Sequence, residues 1–291
     1  MEQIQNNRVI TDLYRENAQF PGIALDGSDV YLCWQRFVDR HDSLMASCRR
    51  GDEVVWEREI SDGGEVLHPV ILAHGGAIWY AWSEYARENW RILARCYRDG
   101  QWGEVLTVAS GEALFFPRLF TWQGKLHVIW TEQHKGSAAA VLCPLTEAGP
   151  GAAETVSVVG EAYRAGAAEG GDGNLYVAYD GFDGKQYKLF ARARTAAGWS
   201  EEIVVSQGED WASTPWIAAK PDGAVVGWYD YGYMAVYSVR SADLTVRDGA
   251  LAAVNPQCLK EGVDWYLDLH VASNSSGLQA CLLYTSDAAD E

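Results

Sequence analysis

Basic charge is the first thing this sequence has little of. Only 23 Lys and Arg stand against 40 Asp and Glu, leaving a formal charge of −17 over 291 residues. Nucleic acid is held by clustered Lys and Arg that neutralise phosphates, and no such cluster is present, which argues against a nucleic-acid partner. Long apolar runs are missing too. No stretch approaches the roughly 18 apolar residues of a membrane span, and "MEQIQNNRVI" has no basic region followed by an apolar run. Neither a membrane partner nor a secretory signal is expected, and the reading is a soluble, cytoplasmic, monomeric protein.

Paired cysteine motifs are also absent. Cys33, Cys48, Cys96, Cys143, Cys258 and Cys281 include no CxxC and no Cys/His array with zinc-ligand spacing. No metal site and no cofactor is therefore implied. Cys48, Cys96 and Cys143 lie 48 and 47 residues apart, as one small buried position in successive units would. All six cysteines are read as reduced core residues. There is no HExxH, no phosphate-binding glycine loop and no nucleophile elbow, and "DGFDG" at Asp180 to Gly184 reads as a turn rather than a calcium loop.

What is present is repetition. "IWYAWSE" (Ile78 to Glu84) returns as "LHVIWTE" (Leu126 to Glu132) and "LYVAYDG" (Leu175 to Gly181). The aromatics closing these runs, Trp34, Trp82, Trp130, Tyr179 and Trp228, are separated by 48, 48, 49 and 49 residues. Thirteen residues before each stand Pro21, Pro69, Pro117, Gly166 and Pro215. A unit of this size cannot cover its own apolar faces and must borrow its neighbours'. Each unit splits into four strand-like pieces: a run after the Pro, the quoted run, a third such as "RILARCYRDGQW" (Arg91 to Trp102) or "KLFARARTAAGW" (Lys188 to Trp199), and a fourth such as "EVLTVA" or "EIVVSQ". Four strands in about 48 residues predict the blade of a β-propeller.

The quoted run is apolar on both faces, as a strand covered by a blade on each side would be. Trp82 and its equivalents are thus expected to pack between blades. "RVITDLYRENAQFP" (Arg8 to Pro21) has the layout of a fourth strand, predicted to complete the last of six blades. The sixth unit starts after Trp265. "LHVASNSSGLQA" (Leu269 to Ala280) reads as its first strand and turn, and a single propeller domain over 1–280 follows. "CLLYTSDAADE" (281–291) resembles the translation of a transposon-end sequencing adapter. That resemblance implies a non-native tail and a last blade truncated in metagenomic assembly. The competing reading is a genuine C-terminal strand.

The loops after the second strands and before the first strands are expected to meet at the mouth of a central channel. They carry carboxylates, arginines and aromatics. Glu84, Glu132 and Asp230 recur at one strand-end position and, with the loop residue His134, are the acid–base candidates. Arg15, Arg36, Arg118, Arg164, Trp211, Tyr231 and Trp265 are the ligand-binding candidates. Aromatic faces stack on sugar rings while carboxylates and Arg forks meet hydroxyls, so a glycan or other small polar ligand is the expected partner.

The order "dG.vyvaW … ilAR.y.dG.W.e...vs … P.ia", spread over about 260 residues, resembles the six-bladed sialidase-like propeller superfamily. "YRDGQW" at Tyr97 to Trp102 is too short for the sialidase Asp-box, and no unit has an intact one. The resemblance implies an arginine triad, a Tyr nucleophile backed by a Glu, and an Asp acid. No local motif places that set; Arg15, Arg118 and Arg164 are the arginines from which the resemblance would draw a triad. Two functions stay open: a glycoside hydrolase or lyase using two carboxylates, and a non-catalytic lectin-like or scaffold propeller.

Overall fold

The computed structural model describes residues 17–61, 63–232, 237–263, 269–274 and 277–282. Every regular element among them is a β-strand. The chain forms two compact units: Met1–Ser110 carries blades 1 and 2, and Gly111–Glu291 carries blades 3 to 5 with a hairpin. The fold class is all-β, a β-propeller of four-stranded antiparallel blades. The repeat is what requires it.

First strands are Asn17–Asp26, Glu65–His74, Ala113–Trp122, Ala162–Glu169 and Trp211–Lys220. Second strands are Asp29–Val38, Ala77–Ala86, Lys125–His134, Leu175–Phe182 and Gly223–Tyr231. Third strands are His41–Arg50, Asn89–Arg98, Ser137–Thr146, Tyr187–Thr195 and Tyr237–Arg247. The fourth is continuous in blades 1 and 5 (Glu53–Glu59 and Ala250–Val263). Elsewhere it is broken in two, as in Gln101–Trp102 with Leu106–Gly111 and Gly198–Trp199 with Ile203–Val204. Leu269–Asn274 and Gly277–Leu282 pair as a further hairpin, whose second strand passes the boundary at 280 read from the sequence. The proposed closing strand, Arg8 to Leu13, and residues 283–291 lie outside the described residues.

Each first strand begins four residues before the Pro or Gly landmark, not after it. Proline lacks the ladder donor and belongs at irregularities. Here the register slips between Gln19 and Gly22, Leu67 and Val70, Phe115 and Arg118, and Ser213 and Trp216. The residue before each Pro is left-handed: Phe20 at φ 51°, His68 at 53°, Phe116 at 54° and Thr214 at 53°. A bulge bends the strand there.

The double-faced second strands find the covering their sequence requires. In blade 4, Leu175, Val177 and Tyr179 pack with Phe120, Ile129 and Leu142 of blade 3. Tyr176 and Ala178, on the other face, pack with Val226 and Trp228 of blade 5. In the other unit Trp82, Tyr80 and Ile78 join Tyr31, Leu44 and Ala46 of blade 1. Burying one such aromatic contributes about 2–3 kcal/mol, so the interfaces between blades are the core. Cys33, Cys48, Cys96 and Cys143 are buried and in no disulfide, as expected. Cys258 is not a core residue: it lies exposed on the last strand of blade 5, and the side chain of Cys281 lies outside the description.

Where the fourth strand breaks in blades 2 and 4, an arginine fills the gap. Arg95 donates to Gly103 O at 2.8 Å and to Ile60 O at 3.2 Å. Its counterpart Arg192 donates to Ser200 O at 2.9 Å and Val156 O at 2.8 Å. Both guanidinium groups lie over a tryptophan ring, Trp102 at 5.2 Å and Trp199 at 5.3 Å. Ile60 belongs to blade 1 and Val156 to blade 3, so each arginine ties its blade to the one before.

Candidate functional site

The site assembles where second strands turn into third strands. In blades 4 and 5 this end carries an aromatic belt. Tyr163 and Tyr187 have ring centroids 6.1 Å apart, Tyr187 and Trp211 5.5 Å, Trp211 and Tyr231 5.4 Å, and Tyr231 and Tyr237 5.4 Å. Phe182 adds a contact to Tyr187 at 5.4 Å. Trp211 keeps 39 % of its surface exposed. The belt is continuous and partly open to solvent.

Two carboxylates lie buried beside it. Asp180 is fully buried and bonded to Arg164, with the Thr214 amide donating to it at 3.3 Å. Asp230 is buried, accepts from Trp228 Nε1 at 2.6 Å, and pairs with Arg240 at 2.6 Å. Burial is the largest influence on both and pushes each above the ordinary Asp value. Arg164 opposes that push at Asp180, while at Asp230 the Trp228 bond and then Arg240 oppose it and nearby Asp210 adds to it. Arg164 and Asp180 both act electrostatically on Tyr231, whose phenol is raised chiefly by burial. Lys188, also buried, donates to Gly208 O.

A third part of this end belongs to blade 3. Glu132, His134, Ser137, Ala139, Val141, Ala153 and Thr155 line a cavity of about 290 Å³. Glu132 and His134 are two apart on one strand and so share a face. His134 Nδ1 lies 3.0 Å from Glu112. Ser137 donates to Gly160 O at 2.8 Å, and Glu161, next in the chain, lies 3.5 Å from the Tyr163 hydroxyl where the belt starts.

The structure thus gathers Arg164, Trp211, Tyr231 and Asp230 into one cluster, and sets Glu132 and His134 on one cavity. The remaining candidates fall elsewhere. Glu84 is wholly buried in blade 2, held by Arg91 and by Trp82 Nε1 at 3.3 Å. Arg36, in blade 1, lies 3.5 Å from Glu59. Arg118 is exposed on the first strand of blade 3. Arg15 and Trp265 lie outside the described residues. Sequence reasoning missed Tyr187, Tyr237, Arg240 and the pairing of Arg164 with Asp180. A signal for the tyrosines was available: aromatics flank the second turn as Tyr85 and Trp90, Phe182 and Tyr187, and Tyr231 and Tyr237. Among the described residues no group of three or more His, Cys, Asp or Glu could hold a metal ion.

No protein-family model matches the sequence, and no curated protein matches it. Solved structures do resemble the fold. An α-L-arabinofuranosidase from Lactobacillus brevis aligns over 91 % of this chain and 94 % of its own, at 10 % identity and TM-score 0.50. A puromycin-hydrolyzing peptidase of Mycobacterium tuberculosis aligns over 92 % of this chain but 42 % of its own, at 15 % identity and TM-score 0.55. Hydrazine synthase of Kuenenia stuttgartiensis aligns over 83 % and 80 %, at 14 % identity and TM-score 0.51. Three unlike names on one architecture establish the fold alone.

Proposed function

We propose that this chain binds carbohydrate along the belt from Tyr163 to Tyr237. The observation that carries the reading is five rings in unbroken contact, one of them well exposed, beside buried acids fixed by arginines. Aromatic faces take the apolar side of a sugar ring, and the polar groups around them order its hydroxyls. Asp180 and Asp230 act here as positioning residues, since each is buried and already gripped by an arginine. That favours binding over hydrolysis. The likeness to an arabinofuranosidase agrees with the reading, although the fold also serves the other two proteins named above.

Hydrolysis is the second reading, favoured by one observation: Glu132 and His134 face one cavity, a carboxylate and an imidazole within reach of one ligand. A glycan-array screen run beside a panel of chromogenic glycosides tests both. Binding should weaken about tenfold or more in Trp211→Ala, and turnover, if found, should fall in Glu132→Gln. Glycan binding that ignores Trp211→Ala would remove the belt from the site. Absence of any glycan binding would turn the assignment to a protein-interaction scaffold.

A further inference from the structure

A second cavity, of about 280 Å³, lies in blades 1 and 2 at the opposite end of the strands. Its walls come from the turns between first and second strands and between third and fourth. Tyr31, Trp56 and Tyr97 provide aromatic surface, and Asp26, Asp29 and Asp99 provide carboxylates. The rings touch one another, with centroids 6.1 Å apart for Tyr31 and Trp56 and 5.0 Å for Trp56 and Tyr97. Arg50 also lines the cavity but grips Asp29 through two bonds of 2.7 and 2.8 Å. Arg98, beside Asp99 in its turn, donates to Gly75 O at 2.7 Å. Neither Asp26 nor Asp99 has an ion-pair partner among the described residues. Tyr80, fully buried among Tyr31, Cys48 and Tyr97, has a hydroxyl with no hydrogen-bond partner among the described residues.

The repeat supplies an internal comparison. "RILARCYRDGQW" and "KLFARARTAAGW" align residue for residue, setting Tyr97 where blade 4 has Arg194 and Trp102 where it has Trp199. In blade 4 the Arg194 guanidinium lies over Trp122 at 5.4 Å and Trp199 at 5.5 Å, and it is ion-paired with Glu154. The fold there fills an aromatic slot with its own cation and a carboxylate. Blade 2 keeps Trp102, over which Arg95 and Arg58 lie at 5.2 and 5.8 Å, but sets the neutral Tyr97 in place of the slot's cation. Blade 1 has Asp26 where blade 3 has Trp122, so that Asp26 and Asp99, without ion-pair partners among the described residues, face the open cavity.

We propose that the cavity of blades 1 and 2 binds a small organic cation, its guanidinium or ammonium group lying against the Trp56 and Tyr97 rings and facing Asp26 and Asp99. Ring faces attract such cations, most strongly where water is partly excluded. The site is separate from the glycan reading and does not rest on it.

Calorimetric titration of the full chain with agmatine, with choline and with neutral galactose tests the proposal. At least one cation should bind saturably, with Kd raised about tenfold in Trp56→Ala and raised again by salt. The double variant Asp26→Asn with Asp99→Asn should weaken it similarly. Asn tolerates the left-handed φ of 50° at position 99, so this variant keeps its turn. Circular dichroism and glycan binding at blades 3 to 5 should not change in it. No saturation by either cation below about 20 mM, equal binding of galactose, or cation affinity unaltered in the double Asn variant would each overturn the proposal.

Discussion

At the scale of single residues, the informative groups are the two buried aspartates. Asp180 and Asp230 keep their protons to higher pH than the ordinary value of 3.8, because burial penalises the charge more than their hydrogen bonds and arginines reward it. An acid raised on folding contributes stability that is fully present below its unfolded pKa and is lost as pH rises through the folded one. Carboxyl-carbon NMR should give both midpoints above 3.8, and Asp230→Asn should flatten the fall in stability across that window. A midpoint at or below that value would mean that the ion pairs outweigh desolvation. Asp183 makes the contrast, since the Gln186 and Lys185 amides hold it below the usual range.

At the scale of elements, two features of the blade have measurable consequences. Arg192 bridges the broken fourth strand of blade 4 and reaches Val156 of blade 3. Arg192→Met would orphan two carbonyls and should cost about 2–4 kcal/mol in urea unfolding. A loss under half a kilocalorie would mean that water takes over the arginine's contacts. In the second strand of blade 5, a Cβ on Gly227 would stand 2.1 Å from Trp216 Cζ2, well inside van der Waals contact with that ring. Gly227→Ala should cost about 3 kcal/mol or more, whereas Gly173→Ala, in open space at φ +79°, should cost only about 1 kcal/mol. Equal losses would show that the tryptophan moves aside. The broken strand and the bulge before each Pro were not legible, because both are set by the register of pairing with the neighbouring strand, which no local residue pattern records.

For the molecule as a whole, the charge of −17 sets the conditions. Self-repulsion at this charge opposes the compact state, and salt screens it over about 8 Å at physiological ionic strength. Moving from low salt to about 0.2 M should therefore raise Tm by a few degrees. A falling Tm would make local ion pairs, such as Lys220 with Asp243 at 2.7 Å, more important than the net charge.

The sequence by itself determined the blade: a period near 48, four strands per unit, and second strands apolar on both faces, as Leu175 to Tyr179 then proved to need. These are properties of one unit and its two neighbours, written locally and repeated. It also offered Arg164, Trp211, Tyr231 and Asp230 as candidates, because polar and aromatic residues at strand ends stand out against an apolar repeat, and the structure places these four near one another. Only the tertiary structure decided that Arg164 answers Asp180, that Glu84 is sealed away, and that Tyr187 and Tyr237 extend the belt. Whether a carboxylate meets solvent or an arginine depends on the side chains packed over it from other strands, and no spacing along the chain records which those are.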